Sequence, residues 1–445
     1  MAYKLHFISL GCAKNMVNCE QMMALCRDAG MELCLSPEGC DAAVVNTCGF
    51  LSSANEEAIE NILAMAELKK AGKLKKILVT GCMTQRYQGE VAKELPEVDG
   101  ILGTGSYKDI VDAVETVMAG GTVSRFDDIN APVDEFGRVL TTPGHYAFLR
   151  IAEGCDNWCA FCIIPKLRGK YRSRTMEHVL AEARQLADSG VKELIVIAQD
   201  ITKYGMDLPE HKRLLPELLR ELCKMDFTWI RLHYLYPDQI TDELIDVIAE
   251  EPKIVKYLDV PLQHVSKRIL RAMHRPGDGA EFTKLIEDMR RRIPGLVLRT
   301  SLIVGLPGET DDEFAELCEF LQNVAIERVG VFEYSPEEGT EAAEMPDQID
   351  AETKQNRRLI VEELQSGVLD DYNTSRHGEV MQVLVEGFDD EQQLWYGRTY
   401  ADSVEVDGHV YFDAMDTEPG EGEFVSVLIT ESLGPDLLGV RQKEA

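Results

Sequence analysis

With 445 residues, 45% of them apolar, the chain is too long for a single hydrophobic core and divides into two or three domains. It holds no apolar run near the roughly 18 to 20 residues that cross a bilayer. Its start, M-A-Y-K-L-H-F-I-S-L-G-C, lacks the apolar segment and cleavage site of a secretory signal, so a cytoplasmic protein is expected. A formal charge of -32 argues against general affinity for phosphate backbones and favours a basic partner. Twelve cysteines in a reducing compartment point to metal or cluster ligation rather than disulfides.

In chain order, residues 4–10 read as a buried strand and 18–29 as a helix, with Cys19, Met22, Met23 and Cys26 at helical spacing. Strands follow at 31–35 and 41–47, a helix at 53–71 and a strand at 75–80. This alternation predicts an open parallel sheet with helices packed on it. Cys12, Cys48 and Cys82 each follow a strand, and ligands of such sheets collect beyond the carboxyl ends of strands, so the three thiols can converge. Each has a glycine neighbour, where a backbone turns tightly or approaches a ligand. Cys19, Cys26 and Cys34 read as core packing; Cys40 receives no assignment. Residues 120–144 are rich in turn formers and read as a linker, closing a first domain at 1–140.

A strand at 146–152 delivers the run Gly154 to Cys162, G-C-D-N-W-C-A-F-C. Its thiols Cys155, Cys159 and Cys162 form C-x3-C-x2-C, one ligand short of a structural zinc site or an electron-transfer cubane. On a [4Fe-4S] cluster, three ligands leave one iron free to bind the amino and carboxylate groups of a small molecule. Three unconnected buried thiols, or a zinc site with a distant fourth ligand, are the other readings. The run resembles that of radical S-adenosylmethionine (SAM) enzymes, including Phe161 directly before the third cysteine. Further strands at 193–198, 229–234, 255–260, 296–304 and 329–334, with amphipathic helices between, predict a partial (β/α)6 barrel over 141–372.

Several loops of this domain carry signals. Gly305 and Gly308, just past a strand, suit close approach of a flat ligand such as adenine; 198–205, with Gln199, and 258–264 add polar groups at strand ends. His233 and His264 read as hydrogen-bonded structure rather than acid or base. The tract K-L-R-G-K-Y-R-S-R, 166–174, reads as an extended segment with one cationic edge, for RNA or a SAM carboxylate, or simply solvated. A charged helix from 351 to about 372 leads into short alternating strands at 378–387, 395–406, 409–412 and 424–432, a small β-barrel within 373–445. Residues 375–445 hold four Lys or Arg against sixteen Asp or Glu, so this module should repel RNA and attract a cationic protein.

Together, S-L-G-C-A-K-N, N-T-C-G-F, T-G-C-M-T-Q-R-Y, E-G-C-D-N-W-C-A-F-C-I-I-P, a glycine loop ending P-G-E-T and a terminal TRAM-type barrel resemble the methylthiotransferase family of radical SAM enzymes over nearly the whole chain. G-C-A-K-N, R-I-A-E-G-C-D and I-A-Q-D-I-T-K-Y-G-M-D-L resemble the branch that modifies an aspartate of small-subunit ribosomal protein S-twelve, rather than the branch that modifies adenosine in tRNA. The resemblance implies a SAM cluster on Cys155, Cys159 and Cys162 and an auxiliary [4Fe-4S] cluster on Cys12, Cys48 and Cys82; Phe161, beside the third cysteine, and Gln199 and Gly305, by their places at strand ends, are the candidate SAM contacts. It also implies no catalytic side chain. Hydrogen abstraction from an unactivated β-carbon is beyond any side-chain base and falls to a 5′-deoxyadenosyl radical, with the protein supplying position and exclusion of solvent. An electron donor and a sulfur source must act with it. Met16 and Asn18 stand where the family pattern leads one to expect leucine or valine and aspartate. A tRNA methylthiotransferase is the nearer rival; an electron carrier or zinc-stabilised RNA-binding protein is the more distant one.

Overall fold

Two parallel sheets and a barrel follow one another in the computed structural model, which describes residues 2–415 and 417–442. Met1, Asp416 and 443–445, which fall in the expected domain spans, lie outside the described residues. The first sheet has strands β1 (Lys4–Ser9), β2 (Glu32–Cys34), β3 (Ala42–Thr47), β4 (Lys76–Gly81), β5 (Gly100–Leu102) and β6 (Val123–Arg125), in the order β2-β1-β3-β4-β5-β6. All its pairings are parallel. All six residues of β3 are buried, as expected of a central strand covered by helices on both faces. Helices α1 (Ala13–Asp28), α2 (Ser52–Lys70) and α3 (Cys82–Tyr87) lie between these strands. The first helix begins five residues earlier than the apolar pattern suggests: Gly11, at φ 83°, turns the chain, and Cys12 becomes the N-cap. Cys26 and Cys40 join the two cores of this sheet, and Cys34 packs against one of them.

The expected linker is a strap. Its residues 123–125 form the sixth strand, and the rest is tied down on both sides: Val139 N donates to Glu20 O at 3.1 Å, Arg138 Nη1 to Phe148 O at 2.6 Å, and Lys170 N to Asn130 Oδ1 at 2.9 Å. The central sheet holds β7 (Tyr146–Arg150), β10 (Glu193–Ile197), β11 (Trp229–Leu232), β12 (Ile254–Asp259), β13 (Val297–Val304) and β14 (Arg328–Glu333), all parallel and in sequence order, an incomplete barrel. The two-residue strands β8 (Ala152–Glu153) and β9 (Arg172–Ser173) pair beside it. One face, with Leu149, Leu194 and Leu232, packs on helices. By the strand period of two, the opposite face carries Arg150, Glu193, Arg231, Tyr257, Asp259, Arg299 and Ser301.

The C-terminal strands β15 (Val380–Asp389), β16 (Leu394–Arg398), β17 (Val410–Asp413), β18 (Phe424–Leu433) and β19 (Asp436–Arg441) close in the order β15-β16-β17-β19-β18. The sequence pattern carries β16 on to 406, but it ends at Arg398. Residues 399–407 instead plug the polar face of the central sheet: Arg231 Nη1 donates to Tyr400 O at 3.0 Å, Arg328 Nη2 to Asp402 Oδ1 at 2.7 Å and Tyr257 Oη to Asp407 Oδ2 at 2.6 Å. Beneath them Glu193 accepts from Arg231 Nε and Arg398 Nη2, both at 2.6 Å, at full burial. The final strand, β19, escaped the sequence reading because its short apolar run carries no alternation.

Candidate active site

The order β2-β1-β3 reverses direction between β1 and β3, the place where an open α/β sheet leaves a crevice. Cys12 follows β1, Cys48 follows β3, and Cys82 opens α3 at the end of β4. The glycines beside them let these three segments touch one another. A Cβ on Gly11 would stand 2.6 Å from Cys48 Cβ, one on Gly49 2.5 Å from Met83 N, and one on Gly81 2.3 Å from Thr47 O. Asn15 holds the arrangement: its Nδ2 donates to Leu10 O at 2.7 Å and, more weakly, to Thr47 O and Asn46 O at 3.3 and 3.4 Å. Asn46 Nδ2 returns a bond to Asn15 O at 2.8 Å.

The second triad sits on the loop after β8, at the carboxyl edge of the central sheet. Cys155 N donates to Gly169 O at 3.1 Å and Ala160 N to Met273 O at 3.2 Å, fixing both ends of the loop. Trp158, at φ 46°, and His274, at φ 57°, are both left-handed, and His274 Nδ1 lies 3.0 Å from Trp158 O. Non-glycine residues persist in that region only where their surroundings hold them there. Tyr236 Oη lies 3.0 Å from Cys159 Sγ, and Arg275, stacked 4.2 Å from the Tyr236 ring centroid, donates to the same sulfur at 3.8 Å.

Both triads open on one cavity of about 360 Å3, lined by Cys12, Cys48, Cys82, Cys155, Cys159 and Cys162. Phe161 and Gln199 line it too. Gln199 Nε2 donates to Glu153 Oε1 at 3.1 Å, and its Oε1 is buried without a partner. Gly305 is placed elsewhere: its N–H donates to Glu309 Oε2 at 2.8 Å, and a Cβ there would meet Lys354 Cγ at 2.3 Å. The close approach that Gly305 allows is to a lysine stem, not to a ligand in the cavity. His233 and His264 are buried structure, His233 Nε2 lying 2.9 Å from Ser403 Oγ and His264 Nδ1 accepting from Ser266 N at 3.0 Å.

Without metal, burial pushes the thiols of Cys82 and Cys155 up to about 11 and raises Cys48 and Cys162 also. Cys12 goes the other way: burial opposes its ionisation, but Lys14, Arg168 and the amide groups at the start of α1 outweigh it. Its exposed surface faces the cavity. A metal centre overrides such values, since a coordinating thiol is deprotonated outright. Among the described residues no three Cys, His, Asp or Glu groups converge on the position of a single ion. Six thiols in two triads around one cavity instead fit polynuclear iron-sulfur centres, whose ligands attach to separate irons.

Two residues of the site, Asn15 and Glu153, were given no role by the sequence, and a third, Arg168, was read only as part of the basic tract. The basic tract is a cationic edge only in part: Lys166 and Lys170 are exposed, but two of its arginines turn inward. Its first part is a helix, Ile164–Arg168; Arg168 and Arg174 are 2% and 4% exposed, the first paired with Glu153 at 3.1 Å and the second with Glu182 at 2.6 Å. Alternating arginines read the same whether they face water or buried carboxylates.

An open α/β domain with three thiols, an incomplete β/α barrel with three more on its first loop, and a closed terminal barrel define a radical SAM enzyme carrying an accessory cysteine centre. The chain matches the Radical SAM superfamily over residues 149–321, an uncharacterized protein family over 4–103 and the TRAM domain over 378–441. It is 47% identical to the ribosomal protein uS12 methylthiotransferase RimO of Lachnoclostridium phytofermentans, over 99% of this chain and 100% of that one. Against the proteins of the same name from Caldanaerobacter subterraneus subsp. tengcongensis and Clostridioides difficile, identity is 47% and 45%, covering 97% and 98% of this chain and 98% of each relative. The chain belongs to the family of ribosomal protein uS12 methylthiotransferases. In fold it is similar to the radical SAM methyltransferase TsrM of Kitasatospora setae, at TM-score 0.56 and 13% identity over 75% of each chain. The radical SAM enzyme OxsB matches at TM-score 0.51 and 12% identity, over 81% of this chain and 56% of that one.

Proposed function

We propose that the protein transfers a methylthio group to the β-carbon of an aspartate in ribosomal protein uS12, with domains at 1–140, 141–372 and 373–445. Cys155, Cys159 and Cys162 hold one [4Fe-4S] cluster, and Cys12, Cys48 and Cys82 hold a second. The observation that carries this reading is the single cavity of about 360 Å3 shared by all six thiols. Each triad ligates three irons of a four-iron cube and leaves one site vacant. When bound, the clusters and SAM supply the one-electron chemistry, the sulfur and the methyl group. The chain's own residues bind and orient: Phe161 and Gln199, whose Oε1 is buried without a partner, line the cavity and would contact SAM, and Phe50, Trp158, Ile164, Pro165 and Pro261 add apolar surface that excludes water. No side chain serves as the base for the carbon-hydrogen bond.

The acidic balance of the chain, -32 overall, suits a basic ribosomal protein. The burial of Arg168 and Arg174 takes two charges out of the basic tract that favoured a tRNA substrate, leaving Lys166 and Lys170 exposed. An electron donor and a sulfur source complete the system, and the reaction takes place in the cytoplasm. Two measurements test the reading. Anaerobically reconstituted protein should carry about eight irons, two four-iron cubes, and mass spectrometry of uS12 and of tRNA nucleosides, with and without the gene, should show the methylthio group on uS12 alone. Stoichiometric zinc, or a modified nucleoside with unmodified uS12, sinks it.

A further inference from the structure

A buried ion pair stands between the two triads. Arg168 closes the helix that follows Cys162, and its guanidinium reaches across to the N-terminal sheet: Nη2 donates to Asn15 Oδ1 at 3.1 Å and Nη1 to Asn18 Oδ1 at 2.9 Å. It lines the cavity together with Cys12 and Cys82. Its anionic partner, Glu153, lies two residues before Cys155 and accepts from Gly154 N at 3.1 Å, Gln199 Nε2 at 3.1 Å and Arg150 Nη1 at 2.6 Å. The positive end of the pair thus touches the residues that hold the auxiliary thiols, and the negative end touches the SAM loop.

Both charges are deeply buried, Arg168 at 2% exposure and Glu153 at 8%. Burying such a pair costs several kcal/mol per ion before attraction offsets it, and well-packed apolar residues often serve stability equally well. Stability alone therefore gives this pair little reason to stand beside the triads. An iron-sulfur centre gains a negative charge on reduction, and its potential follows local charge and hydrogen bonding. A cation beside it favours the reduced form.

We propose that Arg168 is a positioning residue that raises the reduction potential of the auxiliary centre, with Glu153 moderating it and turning the negative end of the pair toward the SAM-binding centre. The inference rests on the cluster ligation argued above. Lys14, 3.5 Å from the Tyr234 ring centroid and also lining the cavity, adds a second cation on the auxiliary side. Arg150 keeps Glu153 paired if Arg168 is removed, so the carboxylate is not orphaned.

The test uses the full chain carrying Cys155→Ala, Cys159→Ala and Cys162→Ala, so that iron reports the auxiliary centre alone, in a redox titration followed by electron paramagnetic resonance. Arg168→Met should shift the midpoint to more negative potential and Glu153→Gln to more positive, with iron and sulfide contents equal to the parent's. Opposite shifts are the signature, because a purely structural role moves both variants the same way or neither. Midpoints that stay put or move together overturn the inference, as does loss of auxiliary iron from both variants; if one variant loses iron, the sign of the other decides. A parent that binds no auxiliary iron refutes the ligation itself, a result distinct from a full cluster with an unmoved midpoint.

Discussion

Asn15→Ala removes the side chain that ties the Cys12 turn to the end of the Cys48 strand. Asn15 is 1% exposed, so water does not replace what it loses. The amide gives one strong bond, Nδ2 to Leu10 O at 2.7 Å, two long ones to Thr47 O and Asn46 O at 3.3 and 3.4 Å, and accepts from Arg168 at 3.1 Å. A neutral buried bond contributes about 1 kcal/mol and one to a charged group about 1.5 to 3. Arg168 keeps Asn18 and Glu153 as partners, and Asn15 O still accepts from Asn46, which places the cost near the low end, about 2 to 3 kcal/mol. Urea unfolding of the metal-free chain should show that loss, and the reconstituted variant should release auxiliary iron on gel filtration while Cys155, Cys159 and Cys162 keep theirs. Asn15→Asp retains the acceptor toward Arg168 but sets a carboxylate against carbonyl oxygens, and should fare no better. A cost below about 0.5 kcal/mol, the range of ordinary surface substitutions, with auxiliary iron retained, refutes the role of Asn15 as the tie.

Gly81→Ala places a methyl group 2.3 Å from Thr47 O at a residue with φ 107°, and should cost about 3 kcal/mol or more and halve the iron content; full iron would contradict the close contact of β3 with the Cys82 turn. For Glu193, burial opposes ionisation, but Arg398 and Arg231 outweigh it and hold the carboxyl down at about 2 from an ordinary 4.5. Stability from this pair is present above pH 4.5 and is lost as pH falls toward 2, about 3 kcal/mol in all. Glu193→Gln should flatten the acid side of a melting-temperature profile, and an unchanged slope would contradict it. Tyr236→Phe removes the hydroxyl 3.0 Å from Cys159 Sγ. Since hydrogen bonds to the sulfurs of such a centre raise its potential, the SAM-binding cluster should become harder to reduce, and a midpoint equal to the parent's would rule the bond out as a tuning contact.

Strand positions and thiol placement were legible because they are local properties. The apolar run Ala42–Val45 announces a strand covered on both sides, and Cys48, directly after the strand's last residue Thr47, must then stand at a carboxyl end. The spacing of Cys155, Cys159 and Cys162 likewise assigns three ligands to one loop without reference to the rest of the chain. The start of α1 was legible only in part: Lys14, Asn15 and Asn18 are polar and buried, so the helix opens with no apolar period to mark it. The extent of β16 was misread for a related reason, because Tyr400, Ser403 and Val404 look like strand residues while their neighbours Asp402 and Asp407 bond to the central sheet.

The chain by itself thus determined which thiols end strands, how three of them share a loop, and that a closed acidic barrel follows. Only the tertiary structure decided that both triads face one cavity, that Arg168 points inward to Glu153 instead of outward to a polyanion, and that Gly305 makes room for Lys354. Periodicity and turn chemistry act over a few residues and leave a mark in any single stretch of sequence. The seating of one sheet against another depends on pairs such as Arg168 with Asn15 or Arg398 with Glu193, separated by 153 and 205 positions, and such pairings have no period to read.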